Sequence, residues 1–95
     1  MPVAIEMTFK GATLDQYDQV MRGMGLASGG GTPPGALFHW AAETAGGLRV
    51  VDVWETREQF EQFAQTDIGP QTQQAGFAAP PEMVFYDVYS YLSAS

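Results

Sequence analysis

The sequence predicts an α+β domain whose elements follow the order strand, helix, strand, strand, helix, strand. Apolar and polar residues alternate over residues 3–10, the signature of a half-buried strand. Thr-x-x-Gln sequences at Thr13 and Thr56 mark the starts of two helices, and two apolar runs flank a short glycine-containing connection typical of a hairpin. The 95 residues fit a single domain, 1–95.

The first half of that order begins with a strand over residues 3–10. Thr13 caps the first helix, Gln16 completes the capping box, and helical spacing of apolar residues continues to about Met24. Residues 27–35 are rich in glycine and proline, and we expect a mobile loop there. Because these glycines lead into a strand and not into a helix, they do not predict a nucleotide-phosphate site.

The central hairpin is predicted from residues 36–43 and 48–54, joined by four residues of turn-forming type. If Glu43 lies opposite Leu48, paired residue numbers sum to 91. The resulting pairs include Trp40 with Val51, His39 with Asp52, and Leu37 with Trp54. This register sets which side chains share a face of the sheet.

The second half of the order starts at Thr56, where Gln59 provides the capping-box partner and a helix is expected to run to about Thr66. A separate short helix is predicted over residues 70–74. The tyrosine-rich residues 82–92 have strand propensity and form the predicted fourth strand.

Right-handed crossovers place both helices on one face of the four-stranded antiparallel sheet. The side chains expected beneath the helices are Ile5, Met7, Phe9, Phe38, Trp40, Val51, Val53, Val84, Tyr86 and Val88. Those expected on the opposite face are Leu37, Val50, Trp54, Phe85, Tyr89, Tyr91, Glu6, Thr8, His39, Asp52 and Asp87. So many aromatic side chains exceed the apolar patch that a soluble monomer tolerates. We therefore predict a homodimer that closes sheet against sheet around a cavity.

The hairpin and the helix after it resemble a known superfamily. Residues 35–40 read Gly-Ala-Leu-Phe-His-Trp, and residues 49–63 contain Trp-Glu-Thr followed by a helix with two phenylalanines. This arrangement is similar to the dimeric α/β-barrel superfamily, which has a ferredoxin-like fold and includes antibiotic-biosynthesis monooxygenases. The resemblance implies a dimeric barrel, and it leaves oxygenase, isomerase, cyclase, haem-handling and non-enzymatic roles open.

The candidate catalytic residues are His39, Asp52 and Tyr89. A carboxylate opposite an imidazole fixes its tautomer and suits it to proton transfer near neutral pH. The candidate substrate-binding residues are Glu6, Thr8, Leu37, Trp54, Phe85 and Asp87. The alternative interpretation is that the His39–Asp52 pair only satisfies two polar groups at an interface.

Composition restricts the partners and cofactors. Eleven acidic and four basic residues give a net charge of −7, which disfavours nucleic acid and membrane surfaces. The absence of cysteine, of a leader sequence and of a long apolar run leads us to expect a cytoplasmic protein. No cofactor is predicted. A metal site built on His39 and Asp52 with Glu6 or Asp87 has suitable ligand types, but no dense spacing motif supports it.

Two functions follow from the sequence. The first is an enzyme of secondary metabolism that binds a small hydrophobic or aromatic compound and uses the His39–Asp52 pair to move protons in an oxygenation, isomerisation or cyclisation. The second is a non-catalytic dimeric binding or accessory protein in which the same pair is structural.

Overall fold

The computed structural model of the chain describes residues 1–26 and 31–92. The elements are β1 (Val3–Lys10), α1 (Leu14–Gly23), β2 (Ala36–Thr44), β3 (Gly47–Trp54), α2 (Arg57–Phe63), a π-helical turn (Ala64–Ile68), α3 (Gly69–Gln74) and β4 (Glu82–Asp87). The strands form one antiparallel sheet in the order β2-β3-β1-β4, with the helices on one face. This confirms the predicted ferredoxin-like α+β fold. Part of the predicted mobile loop, residues 27–30, lies outside the described residues.

Both predicted helix starts are confirmed by their caps. The Thr13 hydroxyl accepts from the Gln16 amide at 3.1 Å, and the Gln16 side chain accepts from the Thr13 amide at 3.0 Å. The Thr56 hydroxyl accepts from the Gln59 amide at 3.1 Å, but the Gln59 side chain accepts from the Thr56 hydroxyl at 3.0 Å and not from its amide, so only half of the predicted capping box forms there. These bonds satisfy amide groups that have no partner within the first turn of a helix.

The second helical segment differs from the prediction because it does not break before Pro70. It continues from α2 through the π-helical turn into α3, and the Gly69 amide donates to the carbonyl of Ala64, five residues earlier. Proline lacks an amide donor and clashes with the carbonyl one turn before it. The wider turn accommodates Pro70 without ending the helix, and such turns are frequent at functional sites.

The fourth strand ends at Asp87, so the prediction that it reaches residue 92 is wrong. Its partner β1 begins at Val3, which pairs with Asp87. The last contact is a hydrogen bond of 2.9 Å from the Val88 amide to the Pro2 carbonyl. Because β1 starts at this point, Tyr89 and Tyr91 lie outside the sheet.

The hairpin has the predicted register over most of its length. His39 lies opposite Asp52, and Trp40 lies opposite Val51. The predicted pair of Leu37 with Trp54 is wrong, because a register shift between Ala36 and Phe38 brings Ala36 opposite Trp54. An extra residue in one strand is the definition of a β-bulge, which bends the strand and re-aims its side chains.

The larger correction concerns which face of the hairpin lies beneath the helices. Ile5, which is fully buried, lies opposite Asp52 on one side and Phe85 on the other. Directly opposed residues in a sheet point to the same face, so His39 and Asp52 lie on the helix-covered face. The sequence-based prediction placed them on the open face and is wrong.

The open face carries side chains that the sequence analysis had assigned to the core. Phe38, Trp40, Val84 and Tyr86 are between 36% and 52% exposed. The buried core instead contains side chains from β1 and the even-numbered positions of β3: Val3, Ile5, Met7, Phe9, Leu48, Val50 and Trp54. Phe60 and Ile68 complete it from the helical side.

The first residue of β3 is a glycine that packs closely against the end of β1. Gly47 has φ of +150°, and an added Cβ would lie 2.1 Å from the Phe9 carbonyl oxygen. We expect Gly47→Ala to reduce the free energy of unfolding by about 3 kcal/mol, because the strand backbones must separate. Gly46→Ala is the matched control, since its Cβ would meet no atom within 4 Å. Urea unfolding of the two variants measures the difference, and equal stabilities would contradict this account of the contact between β3 and β1.

Candidate active site beneath the helices

The centre of the candidate site is the pair that the hairpin register brings together. Nδ1 of His39 lies 2.6 Å from Oδ1 of Asp52. The Asp52 side chain is 8% exposed, whereas that of His39 is 37% exposed. The Asp52 carboxylate is therefore buried, and the His39 imidazole is the more accessible member of the pair.

The second oxygen of the Asp52 carboxylate is also bonded. Nε1 of Trp54 donates to Oδ2 at 3.1 Å in a buried contact. The indole is itself fixed, because its ring contacts those of Phe60 and Phe63 at centroid distances of 5.9 Å and 5.2 Å. With one oxygen held by Trp54, the carboxylate presents the other to His39 in a defined orientation.

Tyr17 on α1 completes a chain of hydrogen bonds. Its hydroxyl lies 2.6 Å from Nε2 of His39, and its ring is within 9° of parallel to the imidazole. An ionised carboxylate accepts only, so Nδ1 of His39 donates to Asp52. In a neutral imidazole, Nε2 is then the acceptor and the Tyr17 hydroxyl donates to it.

Burial raises the pKa of the Tyr17 phenol above its ordinary value, and the negative charges of Asp52 and Asp18 raise it further. Neutral tyrosine is therefore favoured in the folded state, which suits it as the donor to His39.

This shift predicts the behaviour of the protein at high pH. A raised pKa means that the unfolded state loses the Tyr17 proton first, so the stability linked to it is present below about pH 10 and is lost as the pH rises further. We expect Tyr17→Phe to lose less stability than the unchanged protein between about pH 9 and about pH 11, as measured by urea unfolding across that range. Parallel losses in the two proteins would contradict the shift.

A cavity of about 610 Å³ lies between the helix-covered face of the sheet and the helices. Most of its wall is apolar, with Met7, Phe9, Met21, Met24, Leu48, Val50, Phe63, Ile68 and Phe77 among its lining residues. Tyr17, His39 and Asp52 form its main polar group, and no lysine or arginine lines it among residues 1–26 and 31–92. A volume of this size suits a small organic ligand, and the wall that the structure describes offers no cation for a carboxylate or a phosphate.

Four of the sequence-predicted site residues line this cavity. They are His39, Asp52, Leu37 and Trp54. The cavity lies within one chain, so the prediction that it is enclosed between the sheets of two copies is wrong. The reason is the reversed face: the hairpin turns these side chains toward its own helices.

The other predicted site residues lie elsewhere. Glu6 and Thr8 alternate with the buried residues of β1 and so point to the open face, away from His39. The Phe85 ring contacts that of Phe60, and the guanidinium carbon of Arg57 lies 3.9 Å from the centroid of the Phe85 ring. Asp87 is exposed at the end of β4, and Tyr89 is 96% exposed beyond it.

The candidate metal set is not assembled. Because Glu6 lies on the opposite face and Asp87 at the far edge, neither joins His39 and Asp52. No group of three potential histidine, cysteine or acidic ligands lies together in the part of the chain that the structure describes.

Sequence reasoning missed Tyr17 as a site residue, although Tyr17 lies within the predicted first helix. The sequence did not show which face of the hairpin lies beneath the helices, so it did not place His39 next to Tyr17. Phe63 and Ile68 were missed for a related reason, since the π-helical turn sets how Ile68 reaches the cavity wall. No local sequence signal predicted that turn.

Solved structures with the same fold include oxygenases. A candidate antibiotic biosynthesis monooxygenase from Deinococcus radiodurans matches with a TM-score of 0.62 at 12% identity, over 100% of this chain and 99% of that one. SnoaB from Streptomyces nogalater, a cofactor-independent oxygenase solved as a mutant, matches with a TM-score of 0.59 at 16% identity, over 98% and 96% of the two chains. The monooxygenase ActVA-Orf6 of Streptomyces coelicolor, solved with nanaomycin D, matches with a TM-score of 0.52 at 22% identity, over 99% and 92%.

These similarities confirm the predicted resemblance at the level of fold: this chain is a ferredoxin-like domain similar along its length to antibiotic biosynthesis monooxygenases. No protein-family model matches the sequence, and no curated protein matches it. Within residues 1–26 and 31–92, no helix is long and apolar enough to cross a membrane.

Proposed function

We propose that this protein is an enzyme that removes a proton from a small, neutral, largely apolar compound, with His39 as the proton acceptor and Asp52 as the residue that orients it. The observation that carries the proposal is the 2.6 Å bond between the two side chains at the wall of a 610 Å³ apolar cavity. A histidine oriented by a buried carboxylate is a frequent arrangement for general base catalysis.

The cavity indicates the kind of substrate. Its apolar wall favours an aromatic or fused-ring compound, and the lack of a lining cation among the described residues favours one that enters uncharged. A weakly acidic O–H or C–H group placed against the polar group would become an anion when it loses its proton. Such an electron-rich anion can react with O₂ without a cofactor, and it can also rearrange or cyclise.

Oxygenation is the reaction that we favour among the three. SnoaB, a cofactor-independent oxygenase, and ActVA-Orf6, a monooxygenase, share the fold along nearly the whole chain. Proton removal is the step common to oxygenation, isomerisation and cyclisation, so a test of that step does not depend on which reaction follows.

The test uses 1-tetralone, a neutral bicyclic ketone with weakly acidic hydrogens beside its carbonyl. We expect the protein to catalyse exchange of these hydrogens with D₂O, observed by NMR, and His39→Gln to abolish the exchange. Oxygen uptake with fused-ring phenols then separates oxygenation from the other reactions. Exchange at the same rate with and without His39 would overturn the proposal.

One observation favours the non-catalytic alternative. The polar atoms of the group satisfy one another, and no buried side-chain nitrogen or oxygen in the described residues lacks a hydrogen-bond partner. If the pair is only structural, ligands bind in the cavity without any exchange, and His39→Gln changes stability alone.

We also propose that the open face of the sheet forms a homodimer with a second copy of the chain. The face exposes large aromatic side chains that include Phe38, Trp40 and Tyr86, and burying them against an identical face satisfies two-fold symmetry. In this arrangement each subunit keeps its own cavity beneath its helices.

Trp40→Glu tests the proposed dimer, because it places a charge in the centre of the apolar face. We expect the molecular mass from size-exclusion chromatography with light scattering to fall from that of a dimer to that of a monomer. Glu43→Gln is the control, since it changes a charge on the same strand at an exposed position outside the apolar face. A monomeric unchanged protein would contradict the proposal.

A further inference from the structure

The imidazole at the centre of the site has both of its nitrogens engaged. Nδ1 of His39 is bonded to Asp52 and Nε2 to the hydroxyl of Tyr17, each at 2.6 Å. A substrate therefore does not meet the lone pair of Nε2 directly. Unless Tyr17 moves away, a proton that reaches His39 passes through the Tyr17 hydroxyl.

Tyr17 is held in place from several sides. Its hydroxyl is bonded to the imidazole at 2.6 Å with the two rings within 9° of parallel, and the capping box at Thr13 fixes the start of its helix. The side chain of Gln16 donates to the carbonyls of Ala75 and Gly76 at 3.3 Å and 3.2 Å, which ties α1 to the end of α3. These contacts favour a Tyr17 side chain that keeps its position during the reaction over one that moves away from His39.

The Tyr17 oxygen keeps a bonding site for a ligand. A phenol hydroxyl donates one hydrogen bond and accepts others, and the donor is used by Nε2 of His39. Tyr17 itself lines the cavity. Its oxygen therefore offers an acceptor to a hydroxyl group or an acidic C–H group bound there.

We propose that Tyr17 is the catalytic residue that contacts the substrate and relays its proton to His39. In this step the substrate's bond to hydrogen breaks as the Tyr17 oxygen gains that hydrogen, and the original Tyr17 hydrogen passes to Nε2. The products are a substrate anion, neutral Tyr17 and an imidazolium paired with Asp52. The relay moves protons only and needs no oxidant or reductant, and it rests on the proposed function.

The electrostatics of the site favour a relay over a resting phenolate. Burial and the charges of Asp52 and Asp18 raise the pKa of Tyr17, so a tyrosinate is costly beside them. A tyrosine that gains one proton as it gives up another never carries that charge. The substrate anion that forms keeps a hydrogen bond from the neutral phenol.

The relay is tested with 7-hydroxycoumarin, a planar neutral phenol whose absorption spectrum separates its neutral and anionic forms. At a pH where the free probe is neutral, we expect the bound probe to be largely anionic in the unchanged protein and neutral in His39→Gln. Tyr17→Phe keeps the ring and removes the hydroxyl, and we expect it to lower the ratio of bound anion to bound neutral probe about tenfold, as for the loss of one hydrogen bond to a charged oxygen. Tyr89→Phe removes the hydroxyl of a side chain that is 96% exposed beyond β4, and it is expected to leave the ratio unchanged.

The outcomes separate the two proposals. A bound anion in the unchanged protein with an equal or higher anion ratio in Tyr17→Phe overturns the relay, because Tyr17 then only covers His39, and leaves the proposed function standing. A probe that stays neutral in the unchanged protein, or does not bind, counts against the proposed function itself.

A measurement on the unliganded protein tests the relay independently of any variant. We expect ¹⁵N NMR of the neutral His39 ring to show the proton on Nδ1 and a hydrogen-bonded, unprotonated Nε2. A proton on Nε2 would make Tyr17 an acceptor from His39 and would overturn the relay.

Discussion

Replacing Asp52 by asparagine is expected to slow substrate deprotonation about 10²- to 10⁴-fold, the range lost when a general base is disabled. The amide oxygen of asparagine can still accept from Nε1 of Trp54, which now bonds to the carboxylate at 3.1 Å. Its NH₂ group then faces Nδ1 of His39, so the ring must carry its proton on Nε2. That tautomer presents no lone pair toward Tyr17, and the imidazole is no longer a base on the cavity side.

The 1-tetralone exchange assay measures this effect, and urea unfolding checks that the fold survives. Asp87→Asn is the matched control, since it removes one carboxylate that sequence analysis placed in the site and that the structure places at the exposed end of β4. We expect it to leave the exchange rate within about threefold of that of the unchanged protein, far below the loss of about 10²- to 10⁴-fold expected for a disabled general base. An equal rate in Asp52→Asn and the unchanged protein would show that the pair does not act in catalysis.

Trp54→Ala is expected to reduce the free energy of unfolding by about 3 to 5 kcal/mol, the usual cost of truncating a buried large aromatic side chain. Trp54 is 1% exposed and contacts Phe60 and Phe63. Its loss also leaves an oxygen of the buried Asp52 without its donor, which adds to the cost.

The chain supplies its own control, because its only other tryptophan, Trp40, lies on the open face and is 41% exposed. We expect Trp40→Ala to cost less than about 1 kcal/mol at low protein concentration, where self-association contributes little. Urea unfolding of both variants at that concentration gives the comparison. If Trp40→Ala were the more damaging change, the face assignment in the structure would be reversed.

The contact between His39 and Asp52 was predictable because it depends on the pairing of two strands that are neighbours in the sequence. The short connection between β2 and β3 favours one register of the hairpin near the turn, and that register places His39 opposite Asp52. The capping sequences at Thr13 and Thr56 likewise depend on residues only three positions apart. Such short-range features follow from stereochemistry that the sequence displays directly.

The face of the hairpin was not predictable in the same way. Apolar side chains occur on both faces, with Phe38 and Trp40 on one and Leu48, Val50 and Trp54 on the other. The charged Arg49 alternates with the second set and, read as an outward-facing residue, would have pointed to the correct face. Because Arg49 was not read in this way, the aromatic side chains of Phe38 and Trp40 led to the wrong face being assigned to the core.

The sequence by itself thus determined the order of elements, the ferredoxin-like fold and the contact between His39 and Asp52. Only the tertiary structure decided that this contact lies beneath the helices, with Tyr17 against the second nitrogen of the imidazole and a cavity inside a single chain. The physical reason is that the pairing of β1 with β3 joins segments far apart in the chain, with Ile5 opposite Asp52. A shift of one residue in that pairing turns every side chain of the hairpin to the other face, and no local pattern fixes it.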